Sequence, residues 1–356
     1  MKIASILGVR PQFVKASVVS QKLRQHHEEI LIHTGQHYDY QMNKIFFDQL
    51  GLPEPEYHLN IGSGSHGKQT GEMLTRIEEV LLKEKPDLVL TYGDTNSTLA
   101  GALAASKLHI KTAHVEAGLR SFDRTMPEEI NRILADHCSD ILFCPTPNAV
   151  ENLKKEGITK NVYLTGDVMV DSLIFNKEIA EKESRILEDL NLESGQYLVA
   201  TIHRASNTDN KANLTNIVNA LSEIDEKVVF PLHPRTEKFL KQYGLYDRLK
   251  DSVVLTQPLG FFDFIKLMNN ARMILTDSGG VQKEAYVLKV PCVTLRDNTE
   301  WVETIEDGWN VLVGADKLKI VEMVNGFKPS LEMHEDRYGL GDASGRIVEI
   351  INTGDL

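Results

Sequence analysis

The sequence predicts an α/β protein with two doubly wound domains, each built on a parallel sheet. The chain has 356 residues, more than one hydrophobic core usually organises. Short apolar runs alternate with helix-length amphipathic stretches, which is typical of parallel sheets covered on both faces. The alternation comes in two series, separated by a polar, helix-length stretch at 176–192. Two series predict two domains.

The first series predicts an N-terminal domain at 1–168. Apolar runs of three to six residues predict its strands at 3–7, 29–33, 87–92, 112–116, 141–144 and 162–164. Stretches with helical periodicity follow at 11–24, 40–50, 95–107 and 127–136. Pro11 and Pro127 suit a first helical turn, which supports two of these helix starts.

The second series predicts a C-terminal domain at 169–343. Its predicted strands are 198–202, 227–232, 252–255, 273–276, 291–295 and 311–313. Its predicted helices are 212–224, 235–243, 261–269, 281–288 and 315–325. We expect the domains to join near 165–173, and a last helix at 344–356 to pack back on the first domain.

Composition excludes several classes of function. The net charge of −12 repels nucleic acid and anionic membranes, so we expect neither as a partner. No apolar run approaches the roughly 18 residues of a membrane span, and the first apolar run is too short for a signal peptide. Three cysteines without metal-ligand spacing fit reduced thiols. These features predict a cytoplasmic protein.

In doubly wound sheets, ligands bind outside the carboxyl ends of the strands, so the loops there are the candidate sites. In "ILTDSGGVQKEA", a strand ends at a Ser-Gly-Gly turn before a helix. Gly279 and Gly280 allow close backbone approach, the helix start favours an anion, and Ser278 adds a hydroxyl donor. Glu284 is placed to accept from a ribose hydroxyl. A plain strand–helix turn explains the pattern equally well.

The first loop, "LGVRPQFVKA", places two cations near a helix start. Arg10 and Lys15 oppose the positive end of the helix dipole, so an anion nearby would explain them. Two ordinary surface charges are the alternative.

Acidic residues follow two neighbouring strands and open the next helix. Asp94 follows the strand in "TYGDTNST", Glu116 ends a strand in "HVEAGLRS", and Glu128 opens the helix in "MPEEINR". Asp94 as an N-cap, and Glu128 in a first turn, each have an ordinary structural explanation. If their strands are adjacent, however, the crowded carboxylates would have divergent pKa values and supply both an acid and a base. Metal binding by these acids ranks lower, because no histidine ligand accompanies them.

Two loops of the second series carry histidine. His203 lies at a strand end in "TIHR" and His233 in "PLHP". A lone histidine is usually a satisfied structural residue, but the strand-end position favours a functional role for His203.

Eight motifs in order now resemble one family over essentially the whole chain. They are "GVRPQ", "YGDTNST", "HVEAGLRS", "MPEEINR", "TIHR", "PLHP", "TDSGGVQKEA" and "TLRDNTE". The chain resembles the non-hydrolysing UDP-N-acetylglucosamine 2-epimerases. The resemblance implies two Rossmann-like domains in the glycosyltransferase-B arrangement with a cleft between them, a homodimer, a place in polysaccharide biosynthesis, and neither cofactor nor metal.

The resemblance also implies roles for individual residues. The catalytic set would be Asp94, Glu116, Glu128 and His203. Residues that bind substrate or UDP would be Arg10, Lys15, His233, Phe264, Ser278, Gly279, Gly280, Glu284 and Arg296. Within this set the Ser-Gly-Gly turn would hold the diphosphate, Glu284 the ribose, and Phe264 would pack near the uracil.

The reaction implied is inversion at C2 of the sugar. UDP leaves first, a base removes the C2 proton, and UDP adds back to the 2-acetamidoglucal with protonation from the other face. Stabilising the departing diphosphate suits the helix start, Arg10 and His203. Carboxylates suit the proton transfers.

Three departures from the family pattern concern the exact sugar and regulation. Gln12 and Trp301 stand where many members carry Glu and Arg, and they resemble the branch that acts on UDP-2,3-diacetamido-uronic acids. Lys68 replaces an Arg that some members use for an allosteric substrate molecule. The alternatives are that related epimerase, a glycosyltransferase of the same fold, a hydrolysing relative, or a non-catalytic binder of nucleotide sugars.

Overall fold

The computed structural model describes residues 1–36 and 50–353. The chain folds as two units. Unit 1 is Met1–Ser172 together with Tyr338–Leu356, and unit 2 is Leu173–Arg337. The predicted helix at 40–50 lies, except for its last residue, outside the described residues.

Unit 1 is built on a parallel sheet. The described strands are β1 (Lys2–Leu7), β2 (Glu28–His33), β3 (Tyr57–His58), β4 (Leu88–Tyr92), β5 (Lys111–Val115), β6 (Ile141–Cys144) and β7 (Val162–Leu164). Their order is β3-β2-β1-β4-β5-β6-β7. The order in which strands are added therefore reverses between β1 and β4. Arg10 follows β1, and Asp94 follows β4.

The helices of unit 1 follow its strands. They are α1 (Arg10–Leu23), α2 (His66–Glu84), α3 (Asn96–Lys107), α4 (Pro127–Cys138), α5 (Pro147–Lys155), α6 (Val168–Glu183), which continues into unit 2, and the last helix, α16 (Ala343–Thr353). Helix α16 packs against α1. The carboxylate of Asp171 in α6 accepts hydrogen bonds from the first amides of α16.

Unit 2 repeats the same plan. Its strands are β8 (Tyr197–Thr201), β9 (Lys227–Pro231), β10 (Val254–Thr256), β11 (Met273–Thr276), β12 (Cys292–Thr294) and β13 (Asn310–Leu312). Their order is β10-β9-β8-β11-β12-β13, and the pairs are parallel. Here the strand order reverses between β8 and β11. His203 follows β8, and Ser278 follows β11.

Helices cover the sheet of unit 2. They are α7 (Ile186–Asp189), α8 (Ala205–Thr208), α9 (Lys211–Leu221), α10 (Pro234–Tyr243), α11 (Tyr246–Ser252), α12 (Phe261–Asn269), α13 (Gly279–Val287), α14 (Val302–Glu306) and α15 (Lys317–Gly326). Successive residues of β8 enter different cores. Leu198 and Ala200 belong to one, Tyr197 and Val199 to the other, which is the period-2 alternation of a sheet covered on both faces.

The predicted fold class, two doubly wound parallel sheets, is confirmed. The predicted spacer at 176–192 differs from the structure: α6 begins at Val168, and the chain passes from unit 1 to unit 2 within that helix. Within residues 1–36 and 50–353, no helix combines the length and apolarity that a bilayer crossing requires.

Candidate functional site

The predicted site residues of unit 1 lie near the point where the strand order of its sheet reverses. Tyr92 of β4 is in register with Val115 of β5, so Asp94 and Glu116 follow the ends of adjacent strands. Gly93 separates Asp94 from its strand with a φ of +65°, a conformation that glycine adopts without strain. Two of the three predicted acids therefore follow neighbouring strands of the sheet.

Glu116 pairs with Lys15 of α1. The Lys15 ammonium contacts Oε2 of Glu116, and both side chains are largely buried. Glu116 has a φ of +75°, which is strained for a residue with a side chain. Both its amide and that of Ala117 donate to the Phe143 carbonyl and hold this conformation. The anion expected near Lys15 is thus met within the chain by Glu116.

Asp94 pairs with Arg132 of α4. Two guanidinium nitrogens of Arg132 lie 3.0 and 2.7 Å from Oδ2 of Asp94. The N-cap of α3 is Thr95, whose hydroxyl accepts from the Thr98 amide, so the structural role considered for Asp94 belongs to its neighbour. The side chain of Asp94 remains partly exposed.

The two glutamates that open α4 have different surroundings. Glu128 is exposed, and it lies one helical turn before Arg132 on the same face. Glu129 is buried and accepts hydrogen bonds from the amides of Ser121 and Phe122. Burial acts to raise the pKa of Glu129, but these hydrogen bonds and Arg132 outweigh burial and lower it. Glu129 therefore fixes the preceding loop and Arg132, and Glu128 stays accessible.

Two buried side chains hold the strand-end loops of unit 1. His114 donates from Nε2 to the Gly93 carbonyl at 2.6 Å, and its Nδ1 lies 2.7 Å from Asp136. The Gln12 carbonyl accepts from the Gly8 amide at 2.7 Å, and its amide donates to the Tyr92 carbonyl at 2.7 Å. Gln12, one of the departures noted in the sequence, thus joins the β1 and β4 loops. Arg10 is exposed at the first position of α1.

In unit 2, a buried carboxylate organises the loop that carries His203. Asp277 is fully buried and accepts from the amides of His203 and Arg204 and from the side-chain amide of Asn207, at 3.0 Å each. Its Oδ1 also lies 3.4 Å from Nδ1 of His203. Asp277 therefore fixes both the backbone and the ring of His203.

His233 has a structural role in addition to the predicted one. It is the N-cap of α10, and its Nδ1 accepts from the Arg235 amide at 3.1 Å. Its ring lies 5.5 Å from that of His203, measured between centroids. Burial, and then His203 and Arg235, lower the pKa of His233.

The Ser-Gly-Gly turn opens α13. Ser278 is its N-cap, and the Ser278 amide donates to the Thr276 hydroxyl at 2.9 Å. Gly279 and Gly280 are the first two helical residues, and a β-carbon at Gly280 would meet nothing within 4 Å. A β-carbon at Gly279 would lie 1.9 Å from Oε1 of Glu300. Glycine leaves room for the carboxylate in this position, and a β-carbon would require the Glu300 side chain to shift.

Other predicted residues of unit 2 lie around this turn or in the neighbouring core. Arg296 pairs with Glu300 at 2.8 Å. Glu284 lies on α13, and Phe264 lies on α12, where it packs against a core shared by both helices. Trp301, noted as a departure, lies under the ammonium of Lys283, 4.5 Å from the ring centroid.

Sequence reasoning missed five residues that contact the predicted ones or their partners, namely Glu129, Arg132, Arg204, Asp277 and Glu300. Two of them carried a readable signal. Asp277 directly follows a strand, and Arg132 stands four residues after Glu128. Among the described residues, no three or more His, Cys, Asp or Glu side chains are grouped to hold a metal ion.

Comparison with known proteins gives consistent matches along the chain. A family model described as UDP-N-acetylglucosamine 2-epimerase matches residues 21–352. The sequence is 61% identical over 354 residues to a UDP-N-acetylglucosamine 2-epimerase homolog of Methanococcus maripaludis, covering 99% of both chains. It is 52% identical over 361 residues to UDP-2,3-diacetamido-2,3-dideoxy-D-glucuronate 2-epimerase of Pseudomonas aeruginosa, again covering 99% of both. The crystal structure of Methanocaldococcus jannaschii UDP-GlcNAc 2-epimerase in complex with UDP-GlcNAc and UDP has a TM-score of 0.87 at 50% identity, covering 99% of this chain and 100% of that one.

Proposed function

We propose, because the chain belongs to the UDP-N-acetylglucosamine 2-epimerase family, that it interconverts UDP-N-acetylglucosamine and UDP-N-acetylmannosamine. The observation that carries this proposal is the position of Asp94 and Glu116 at the ends of adjacent strands, each held by a cation. Inversion at a carbon needs a group that removes a proton and a group that returns one, and two fixed carboxylates match that need.

The first step is departure of UDP from C1. The sugar C2 proton is hardly acidic until positive charge develops at C1, so loss of UDP must lead. The leaving diphosphate needs positive charge, which the first turn of α13 and Arg296 supply. Asp277, the residue before Ser278, orients the His203 ring, and we assign His203 to the same phosphates.

The second step is removal of the C2 proton, which leaves a 2-acetamidoglucal and UDP. Asp94, Glu116 and Glu128 form the acid–base group. Lys15 and Arg132 hold Glu116 and Asp94 through charge-assisted contacts, which fix carboxylate oxygens more firmly than neutral hydrogen bonds do. Return of the proton on the other face, with addition of UDP to C1, gives the epimer.

Incubation with UDP-N-acetylglucosamine in D2O, followed by NMR of the sugar, tests this function. We expect deuterium at C2 in the recovered UDP-sugars and no free sugar. Release of free N-acetylmannosamine and UDP would indicate a hydrolase instead. Absence of exchange with this substrate would contradict the proposal.

A second substrate is favoured by one specific observation. The relative from Pseudomonas aeruginosa, at 52% identity, is named for a diacetamido-glucuronate. The same D2O experiment with UDP-2,3-diacetamido-2,3-dideoxy-glucuronate separates the two substrates, because faster exchange there would assign the chain to that sugar.

We also propose that the enzyme is a cytoplasmic homodimer. Support for the dimer is the resemblance to a family whose members are usually homodimers. Support for the location is the pair of buried free thiols, Cys144 and Cys292, which persist in a reducing compartment. Sedimentation of the purified chain at micromolar concentration tests the dimer, and a monomer mass would contradict it.

A further inference from the structure

In unit 2, the carboxylate of Glu300 lies at the N-terminus of α13. A β-carbon built on Gly279 would come within 1.9 Å of Glu300 Oε1, so this oxygen lies directly over the first residue of the helix. The amides of a first helical turn have no partner within the helix, and the positive end of its dipole attracts anions. The side chain of Glu300 therefore places an anion where the proposed function requires the diphosphate.

Two guanidinium groups hold this carboxylate. Arg296 Nη1 lies 2.8 Å from Oε2 of Glu300, and Arg204 Nη2 lies 3.5 Å from Oε1. Burial and then repulsion by Arg296 lower the pKa of Arg204. Glu300 and the buried Asp277 together act on the Arg204 guanidinium. A multiply charged anion in place of Glu300 would bring more negative charge to Arg204 and Arg296 than this one carboxylate does.

The backbone on both sides of Glu300 is anchored, whereas its side chain has room to move. The Thr299 hydroxyl donates to the buried side chain of Gln282 at 2.6 Å, and the Trp301 amide donates to the Thr299 hydroxyl at 3.0 Å. The side chain of Glu300 is 36% exposed, so it can rotate into water without moving the loop. This rotation breaks the close ion pair of Glu300 with Arg296 and its longer one with Arg204.

We propose that the diphosphate of the nucleotide sugar displaces Glu300 from the first turn of α13 and takes over its contacts with Arg204 and Arg296. This inference rests on the proposed function and adds two residues to it. Arg204 becomes a second guanidinium ligand of the diphosphate, and Glu300 becomes a competing anion. Because a ligand must bring more negative charge than the carboxylate that it replaces, the exchange favours a diphosphate over a singly charged group.

Calorimetric titration with UDP tests the exchange. In Glu300→Gln the competing charge is gone, and we expect UDP to bind roughly threefold to tenfold more tightly than in the unaltered chain. Glu332→Gln is the matched control, because Glu332 is an exposed glutamate elsewhere in unit 2. It removes the same charge from the unit, and its UDP affinity should equal that of the unaltered chain.

A double-mutant cycle with Arg204→Gln tests whether the gain in UDP affinity comes from release of the Arg204 guanidinium. When Arg204 is absent, the gain from Glu300→Gln should shrink, since one freed guanidinium is missing. Circular dichroism verifies that each variant is folded. Unchanged or weaker UDP binding by Glu300→Gln, or an equal gain with and without Arg204, would overturn the exchange alone. Failure of the folded, unaltered chain to bind UDP would overturn both the exchange and the proposed function.

Discussion

At the scale of single residues, the candidate acids of unit 1 are held by cations. Glu116 contacts Lys15 in a largely buried pair, and Asp94 contacts Arg132 at 2.7 Å. The sequence suggested that the carboxylates would perturb one another, whereas the contacts of these two are with opposite charges. Each cation fixes one carboxylate oxygen of its acid.

Replacing either acid by its amide should remove catalysis and spare nucleotide binding. For Asp94→Asn and Glu116→Gln we expect C2 deuterium exchange to fall by about 10²- to 10⁴-fold, the usual contribution of a general acid or base. UDP affinity, measured by calorimetry, should change little, because the diphosphate contacts are assigned to unit 2. Glu151→Gln, an exposed glutamate of unit 1, is the matched control and should retain full exchange.

Retained exchange in Asp94→Asn or Glu116→Gln would remove that residue from the catalytic set. Loss of UDP binding together with exchange would instead indicate a folding defect. This distinction matters for Glu116→Gln, since it leaves the buried ammonium of Lys15 without its counter-ion, which is strongly destabilising.

The sequence located strand-end residues well but their partners poorly. The rule that ligands bind at the carboxyl ends of strands needs only the strand pattern, and it selected Asp94, Glu116 and Ser278. Partners depend on which strands are adjacent and how the side chains pack. Asp277 follows a strand, but its contact with His203 required the structure. So did Glu300, which approaches Gly279 from 21 residues further along the chain.

At the scale of elements, the predicted set does not include the 19-residue helix α2 (His66–Glu84) or the two-residue strand β3. The two-residue strand β3 has too few residues to show alternation. Helix α6 runs from Val168 to Glu183, and its residues Asp171 and Ser172 are buried. The boundary between the units, after Ser172, lies within the predicted junction at 165–173.

One carboxylate caps the last helix, which also packs against α1. Asp171 accepts from the amides of Ala343 and Ser344 at 3.1 and 2.7 Å and from the Ser344 hydroxyl at 2.5 Å. These are the first residues of α16, so Asp171 satisfies amides that have no partner within the helix and complements the helix dipole. Asp171, which lies 172 positions before Ala343 in the chain, thus acts as the cap of α16.

Asp171→Ala should loosen α16. We expect a loss of about 1–2 kcal/mol in the free energy of opening of this helix, the usual effect of removing a cap. Hydrogen–deuterium exchange of the α16 amides measures it. Glu349→Ala, at an exposed position of the same helix, is the control and should leave exchange unchanged. Equal protection of α16 in Asp171→Ala and the unaltered chain would contradict this role.

At the scale of the whole molecule, a buried histidine should make the two units respond differently to acid. His33 ends β2 in unit 1, is 6% exposed, and stacks on Phe13 with ring centroids 5.1 Å apart. Burial, and then the nearby His58, lower the pKa of His33 to about 4. The folded unit therefore keeps this ring neutral at pH values where an unfolded chain would protonate it.

Unit 1 should lose stability as the pH falls from about 6.5 to about 4, because in this range the unfolded chain binds a proton at His33 that the folded unit does not. The largest loss from this one group is about 3 kcal/mol. In His33→Gln the new side chain does not titrate, so the stability of unit 1 should depend less on pH. Hydrogen–deuterium exchange of the β1 and β2 amides, corrected for the intrinsic effect of pH, measures the free energy of opening, and the β8 and β11 amides of unit 2 serve as an internal control. Identical pH dependence of β1 and β2 in His33→Gln and the unaltered chain would show that another group governs the acid response of unit 1.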